Sequence, residues 1–405
     1  MSGRLLMGVA TTSFERMRTR YSCRAGLLAR RAAPVKTIRT GACVKGSDKP
    51  ALIVQVNFTM SAKDPSAAET EALTQLFSGR ALSSEQTRAV MARLVSGDLA
   101  EPAIAAMLVA FRLKGETTDE LIGAARALRD ADAPFDRPDY LFADTCGTGG
   151  DGSGTINVST AVAFVAAAAG LPVAKHGNRS FSSLCGSADV LERLGAKLDV
   201  SAAVSRRALD QTGFCFLFAP AYHPGLRHAG AARRMLRVRT IFNLLGPCLN
   251  PAEPPVQLLG VAEERLLEPI AATLVAIGVK RAMVVHGSGL DEVALHGPTQ
   301  AILIKEGARE QMMLRPEMAK LHTQDLAGLK SSGPEENVRR LDAILKGGGS
   351  GAENDAVALN AGALLMIAGL ASDFAEGAAK SLDTLRSGAP AKVLAAFVEA
   401  SRAAA

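Results

Sequence analysis

The chain has 405 residues, 48% of them hydrophobic and 4% aromatic, with no tryptophan, a composition that allows two or three domains around aliphatic, alanine-rich cores. The formal charge of +6 is uneven: residues 1–59 carry eleven basic side chains against Glu15 and Asp48, a local +9, which leaves the rest of the chain at −3. A nucleic-acid partner is therefore not implied by the overall charge, no apolar run reads as a secretory or membrane-spanning segment, and neither the six cysteines nor the six histidines show zinc-site spacing.

The arginine-rich, acid-poor start resembles an organellar transit peptide in composition, although serine is scarce for a plastid one. The preferred reading begins translation at Met60 and treats residues 1–60 as a disordered basic extension, which makes the protein cytoplasmic; the alternative is an organellar one. From Glu69 to Asp130 small apolar residues (Ala103, Ile104, Ala106, Met107, Ala110) recur at helical spacing. Ser83 with Gln86 and Thr117 with Glu120 are capping-box pairs, Pro102 suits a first helical position, and Gly97 and Gly115 stop the helices before them. A helical domain is predicted over 61–133, with Ala131 to Pro138 as the linker into a second domain over 134–405. The cysteines, unpaired in spacing within a chain of ample core, fit a reducing compartment.

After the apolar run Tyr140 to Ala143 comes a glycine-rich turn. Gly147, Gly149 and Gly152 satisfy G-x-G-x-x-G, but a dinucleotide site also wants an acid about 20 residues on, to hold a ribose hydroxyl. Between Asp151 and Asp189 there is no Asp or Glu; the second strand instead ends in Lys175, His176 and Arg179. A Walker loop fails as well, because Gly154 is followed by Thr155 rather than lysine. What remains is a glycine loop whose backbone N–H groups are free to face an anion. A helix starting near Val158 adds unpaired amides and a partial positive charge, with Asn157, Ser159 and Thr160 at the same place; the plainer alternative is that these three only cap the helix. A second such corner stands at Ser182, Ser183, Gly186 and Ser187, ahead of a helix over Ala188 to Leu194. Two helix starts and a basic strand end suit a ligand with more than one phosphate.

Further along, the pattern alternates: a helix Ala202 to Thr212, a strand Phe214 to Phe218, a polar loop His223 to Arg239, a strand Val256 to Val261, a helix Glu264 to Ile277 and a strand Arg281 to His286. Alternation of this kind predicts an α/β fold, a mostly parallel sheet flanked by helices, with ligands at the carboxyl ends of the strands. Asp291 and Glu292 follow the last of these strands after a Ser-Gly-Leu loop. Adjacent carboxylates beside a polyphosphate site are what Mg²⁺ requires, since it takes oxygen ligands and shares them with substrate phosphates; a solvated turn is the alternative. Arg227, Arg233, Arg234, Arg237 and Arg239 each offer a fork for a ligand carboxylate, and composition does not choose among them. The glycine run Gly347 to Gly351 reads as a flexible loop.

GTGGDGSGTINVST, KHGNRSFSS, GSADVLE, FAPAYHPGLRH, RTIFNLLGPCLNP and LDEVALHGPT, in this order, resemble the signature of the anthranilate phosphoribosyltransferases, from about Leu73 onward. The resemblance implies the nucleoside phosphorylase-like fold with its smaller all-helical N-terminal domain, a homodimer through that domain, and transfer of phosphoribose from phosphoribosyl pyrophosphate to anthranilate in tryptophan biosynthesis. It assigns the donor to Gly147, Gly150, Asp151, Thr155, Asn157, Val158, Ser159, Thr160, Lys175, Ser183 and Ser187. The acceptor falls to Gly147, His176, Asn178 and Arg233, and Mg²⁺ to Ser159, Asp291 and Glu292. No general base stands out; His176 is a possible helper. Ala231 stands where the family commonly has proline and Gly225 where it has alanine, so a looser acceptor loop is expected. A nucleoside phosphorylase-like enzyme and a non-catalytic nucleic-acid-binding relative are the alternatives carried on the same fold.

Overall fold

The computed structural model describes residues 66–179 and 185–403. The extension 1–60 and the serines Ser182 and Ser183 lie outside the described residues. Four helices open the described chain: α1 (Ala67–Phe77), α2 (Ser84–Val95), α3 (Glu101–Lys114) and α4 (Thr118–Arg129). Ser83 and Thr117 accept from the amides of Gln86 and Glu120, whose side chains reach back to the cap amides, and Ser66 with Glu69 makes a third such box. Pro102 sits in the first turn of α3, and Gly115 ends that helix at φ +84°.

Seven strands then form one sheet in the order β3-β2-β1-β4-β5-β6-β7. These are β1 (Ala143–Gly147), β2 (Val173–Gly177), β3 (Phe214–Phe218), β4 (Val256–Gly260), β5 (Arg281–Gly287), β6 (Thr299–Lys305) and β7 (Ala308–Leu314). The first five run parallel, and β6 and β7 fold back antiparallel on the β5 edge. Between β1 and β2 lies α5 (Val158–Ala168); α6 (Ser187–Arg193) and α7 (Ala202–Thr212) join β2 to β3. The β3 to β4 connection holds α8 (Ala219–Tyr222), α9 (Gly230–Leu236) and α10 (Ile241–Leu245), and α11 (Leu267–Ala276) leads to β5. After the sheet come α12 (Pro334–Leu345), α13 (Gly351–Ala368), α14 (Phe374–Arg386) and α15 (Ala389–Arg402).

Strand alternation sends side chains to two cores. Val256, Leu258, Met283, Val285 and Leu303 face the cluster that includes Ala161 of α5, Ala208 of α7, Val357 of α13 and Phe397 of α15. Leu259, Val261, Ala282, Val284, Ile302 and Ile304 face the other, with Leu108 of α3, Leu121 of α4 and Ile270 of α11. The helical bundle thus shares its core with one face of the sheet, which is why a helix pair as marginal as α1 and α2 can be stable there.

Three expectations change. The first strand runs through Gly147 rather than stopping at Ala143, because parallel partners on both sides accept the small residues: Gly147 lies opposite Gly260. The segment expected as a polar loop, His223 to Arg239, is mostly helical: a 3-10 turn over Pro224–Ala229 runs into α9. Gly225 is buried there, and a Cβ on it would lie 2.6 Å from Val95 Cβ, so its lack of a side chain seats the turn against α2 instead of loosening it. Gly347 to Gly351 is a tight junction between α12 and α13: Gly347 takes φ +80° against the Leu385 carbonyl, and Ser350 caps α13 in a capping box with Glu353.

Candidate active site

The carboxyl ends of β1, β2, β4 and β5 converge on one place, and the segment after β5 is folded back across them. A Cβ on Gly147 would overlap the Asp291 carboxylate, and a Cβ on Gly260 would overlap the Asp291 backbone carbonyl. Glycine at both strand ends is what lets the Asp291-Glu292 segment enter between them. Both carboxylates are consequently taken out of water. Burial first, and then the negative charge of Asp151, pushes Asp291 up to about 7, against the Gly149 amide that favours its ionised form. Glu292 is pushed well above the usual carboxylate range by burial and by Asp291, with Lys175 opposing.

The glycine loop is held rather than free. The Thr148 amide donates to Gly260 O at 2.9 Å, the Gly149 amide to Asp291 Oδ2 at 2.6 Å, and the Ser153 amide to Asp151 Oδ1 at 3.1 Å. Its outgoing limb is zipped to another loop, with Ile156 N on Leu329 O and Ser331 N on Gly154 O, beside a bridge from Thr155 to Lys330. The amides of Thr148, Gly149, Ser153, Thr155 and Ile156, expected to face an anion, are therefore already engaged within the chain.

At the N-terminus of α5 the amides are engaged as well, Asn157 N on Asn337 Oδ1 at 3.1 Å, Val158 N on Ile156 O at 2.8 Å and Thr160 N on Asn157 O at 3.2 Å, and it is the side chains that differ. Asn157 occupies the cap position with no side-chain cap hydrogen bond; its amide group instead donates to Cys185 O at 3.2 Å. Among the described residues the buried Asn157 Oδ1 and Thr160 Oγ1 have no hydrogen-bond partner. Simple capping does not account for the polar cluster, and an orphaned buried oxygen is costly enough, about 1–3 kcal/mol, to be retained for a ligand. Lys175, 2% exposed, reaches the same corner from β2: its Nζ donates to Thr145 O at 2.5 Å and lies 3.4 Å from Ser159 Oγ. Val158 is buried in the core, and Gly150 is exposed in the glycine loop. Ser187 opens α6, close enough that a Cβ on Gly177 would lie 2.6 Å from its hydroxyl.

The other two basic residues at the end of β2 are turned elsewhere. Arg179 pairs with Glu192 at 2.6 Å and lies over the Phe218 ring. His176 points away from Lys175, as strand alternation requires, and meets His223, Nε2 to Nε2, at 3.0 Å. Asn178 is exposed on the loop after β2, its Oδ1 accepting from the Arg179 amide. Arg233 is half-buried on α9, with its guanidinium 5.5 Å from the Phe242 ring centre, and burial lowers its pKa.

Three residues that sequence reasoning passed over, Asp144, Asn250 and His223, belong to this site, together with Arg239, which it carried only as one of five candidate carboxylate forks. Asp144, fully buried, accepts from the His176 amide and from Asn250 Nδ2, and Asn250 also donates to Ala174 O. The pair cross-links β1 and β2 directly beneath Lys175, and Asp144 supplies a negative charge to that lysine's surroundings. Arg239 donates to Thr148 O at 2.9 Å and packs over Gly150, so it clamps the glycine loop from above. His223 supports His176 from the β3 to β4 connection. An acid directly after the apolar run Tyr140 to Ala143 was the available signal for Asp144; the others are distant in sequence and become neighbours only in the fold.

The donor set at the Asp291 corner is all oxygen: two carboxylates, with the hydroxyl of Ser159 alongside Lys175. Among the described residues no three His, Cys, Asp or Glu side chains surround a common point. Two buried carboxylates whose charge is poorly compensated fit a hard divalent cation that takes its remaining ligands from phosphate and water.

Comparison with known proteins agrees with this architecture. Residues 139–391 match the family model described as "Glycosyl transferase family, a/b domain", and residues 70–132 match "Glycosyl transferase family, helical bundle domain". The anthranilate phosphoribosyltransferase of Sorangium cellulosum is 55% identical over 81% of this chain and 94% of its own length. That of Aeromonas hydrophila is 50% identical over 80% and 94%. Among solved structures, the Thermus thermophilus enzyme is 41% identical with a TM-score of 0.77, covering 82% of this chain and 99% of that one. The Saccharomyces cerevisiae enzyme, in complex with phosphoribosyl pyrophosphate and Mg, is 27% identical with a TM-score of 0.76, covering 83% and 98%. The two-part fold, the site at the strand ends and these likenesses over most of the chain place it in one family: the chain belongs to the anthranilate phosphoribosyltransferases, a family of glycosyltransferases.

Proposed function

We propose that the protein transfers the phosphoribosyl group of phosphoribosyl pyrophosphate to the amine of anthranilate, giving N-(5-phosphoribosyl)anthranilate and pyrophosphate in tryptophan biosynthesis. The observation that carries the reading is the corner where Lys175, the polar start of α5 with its orphaned Asn157 and Thr160 oxygens, and the buried Asp291-Glu292 pair meet at the strand ends. Displacement at the ribose carbon builds positive charge there while negative charge grows on the departing pyrophosphate, so the main lever is stabilisation of that anion. Lys175 and the positive end of the α5 dipole supply it, with Asn157, Ser159 and Thr160 as polar partners and Gly147, Gly150, Asp151, Thr155, Val158, Ser183 and Ser187 as the remaining donor-side residues. Ser159, Asp291 and Glu292 would hold Mg²⁺, which when bound neutralises charge on the phosphate oxygens.

On the acceptor side, Arg233 pairs with the anthranilate carboxylate through its fork, and Asn178, His176 and Gly147 complete the pocket. An aromatic amine is neutral near pH 7 and its nitrogen attacks directly, so orientation is the chief contribution there. The helical part, residues 61–133, serves as the homodimer surface, and 134–405 as the transferring domain. In support, α1 and α3 pack together and expose Phe77 at 65% and Leu113 at 83%. A cytoplasmic location accords with the free thiols Cys146, Cys185, Cys215 and Cys248. Among the described residues no helix is long and apolar enough to cross a membrane.

The test is a fluorescence assay of anthranilate consumption with phosphoribosyl pyrophosphate, with and without Mg²⁺. Magnesium-dependent conversion is expected; no conversion, together with phosphorolysis of a nucleoside by inorganic phosphate, would replace the reading with a nucleoside phosphorylase.

A further inference from the structure

Behind the acceptor side lies a row of three side chains, of which the reaction as described uses only His176. Asp132 sits in the linker that leaves α4, and its Oδ1 is 2.5 Å from His223 Nδ1; the other nitrogen of His223 meets His176 Nε2 at 3.0 Å, the rings crossing at 79°. Each imidazole is 6% exposed. Beyond His176 stands the Gly246 backbone, which favours the protonated ring and so acts as an acceptor. The row therefore has an acceptor at both ends and two imidazoles between them.

Three contacts need three hydrogens, and two neutral imidazoles bring only two. With two, a pair of lone pairs would face one another inside the protein, at a cost of about 1–3 kcal/mol. The row is satisfied when it holds one further proton, which also makes it electrically neutral against the Asp132 carboxylate. The surrounding charges decide where that proton rests. Lys175 adjoins His176, and Asp144 takes only its backbone amide. Arg129 and Glu253 face Asp132. Burial, the charge on His223 and Lys175 all disfavour a cation at His176, and burial holds a proton toward Asp132. His176 is then neutral, with hydrogen on Nδ1 toward Gly246 and Nε2 accepting from His223.

We propose that Asp132 is a positioning residue for the acceptor: acting through His223, it locks the His176 ring in the Nδ1–H tautomer and in one orientation beside Asn178. The linker between the helical bundle and the sheet thereby sets the geometry of the acceptor side. The proposal rests on the acceptor reading given above for His176, Asn178 and Arg233.

The experiment is carried out on the full chain in two arms. In the first, ring ¹⁵N spectra of histidine-labelled wild-type enzyme, with His176 assigned through His176→Gln, are expected to show the Nδ1–H form without any substrate; an Nε2–H form overturns the proposal. In the second, Asp132→Ala, which removes the partner of His223 Nδ1, should lower kcat/KM for anthranilate by about tenfold through KM. KM for phosphoribosyl pyrophosphate should stay within about twofold, and the inflection of the pH profile set by the row should move down by at least about one unit as the carboxylate charge is lost. Asp132→Glu should recover part of the loss. Unchanged anthranilate kinetics, or equal effects on both substrates, overturns the positioning role. Failure of the acceptor reading shows separately, as Arg233→Ala leaving the anthranilate KM unchanged while the spectrum still reports the tautomer.

Discussion

At the scale of single residues, the site is built from charges placed where they are poorly solvated. Arg233 keeps a guanidinium half-buried beside Phe242, with burial lowering its pKa, and it is the residue proposed to hold the anthranilate carboxylate. Arg233→Ala should raise the Michaelis constant for anthranilate by about tenfold or more while that for phosphoribosyl pyrophosphate changes little, read by steady-state kinetics with each substrate varied. Asp291 and Glu292 repel each other in a dry corner. Asp291→Ala combined with Glu292→Ala should reduce Mg²⁺-dependent turnover by at least about 10². Because the pair is a source of like-charge repulsion, the same double variant should hold or raise the melting temperature in metal-free buffer; a large fall in both quantities would mean that the carboxylates are structural.

At the scale of elements, what positions the chemistry is the end of a strand and the start of a helix. β1 and β2 are pinned by Asp144 and Asn250, α5 rises from between them, and the β5 exit returns over glycines. The last helices are held by a comparable device. Glu353 takes Ser350 N at 2.6 Å and Arg340 Nε at 2.5 Å, while Arg340 also reaches the Lys330 and Gly328 carbonyls at 2.5 Å, tying α12 and α13 to the loop that zips against the glycine loop. Glu353→Ala leaves a buried arginine partly unpaired and should destabilise the fold by about 2–3 kcal/mol, measured by denaturant unfolding. Burial acts to raise the Glu353 pKa, but Arg340 and the Ser350 cap outweigh it and hold the carboxyl below its ordinary 4.5. A depressed folded pKa means that this stabilisation is fully present above about pH 4.5 and is lost as the pH falls through the lower, folded value. The stability gap between wild type and Glu353→Gln should therefore narrow in acid.

At the scale of the whole molecule, the helical bundle and one face of the sheet share a single apolar cluster, so the bundle is part of the scaffold of the site. Its outward side still carries Phe77 and Leu113, large apolar groups whose exposure is costly for a lone subunit and natural for a self-associating face. If this face is the proposed homodimer surface, Phe77→Glu with Leu113→Glu should weaken self-association by about 100-fold or more while leaving a folded, active monomer, as followed by sedimentation. A dimer unaffected by the pair would move the interface elsewhere on the molecule.

The sequence by itself determined whatever depends on near neighbours in the chain. Capping pairs at Ser83 and Thr117, the strand and helix alternation, the absence of an acid between Asp151 and Asp189, and the adjacency of Asp291 and Glu292 are local patterns, and they carried the α/β class and the anionic character of the ligand. The run from His223 to Arg239 was misread as loop because its arginines look solvated, whereas packing of Gly225 and Ala232 against the bundle makes it helical. Only the tertiary structure decided which of the basic residues at the end of β2 faces the phosphate corner. Strand alternation sends Lys175 one way and His176 the other, and the companions of His176, Asp132 and His223, lie 44 and 47 positions away in the chain. Contacts across such separations follow from sheet order and burial, which no local pattern encodes.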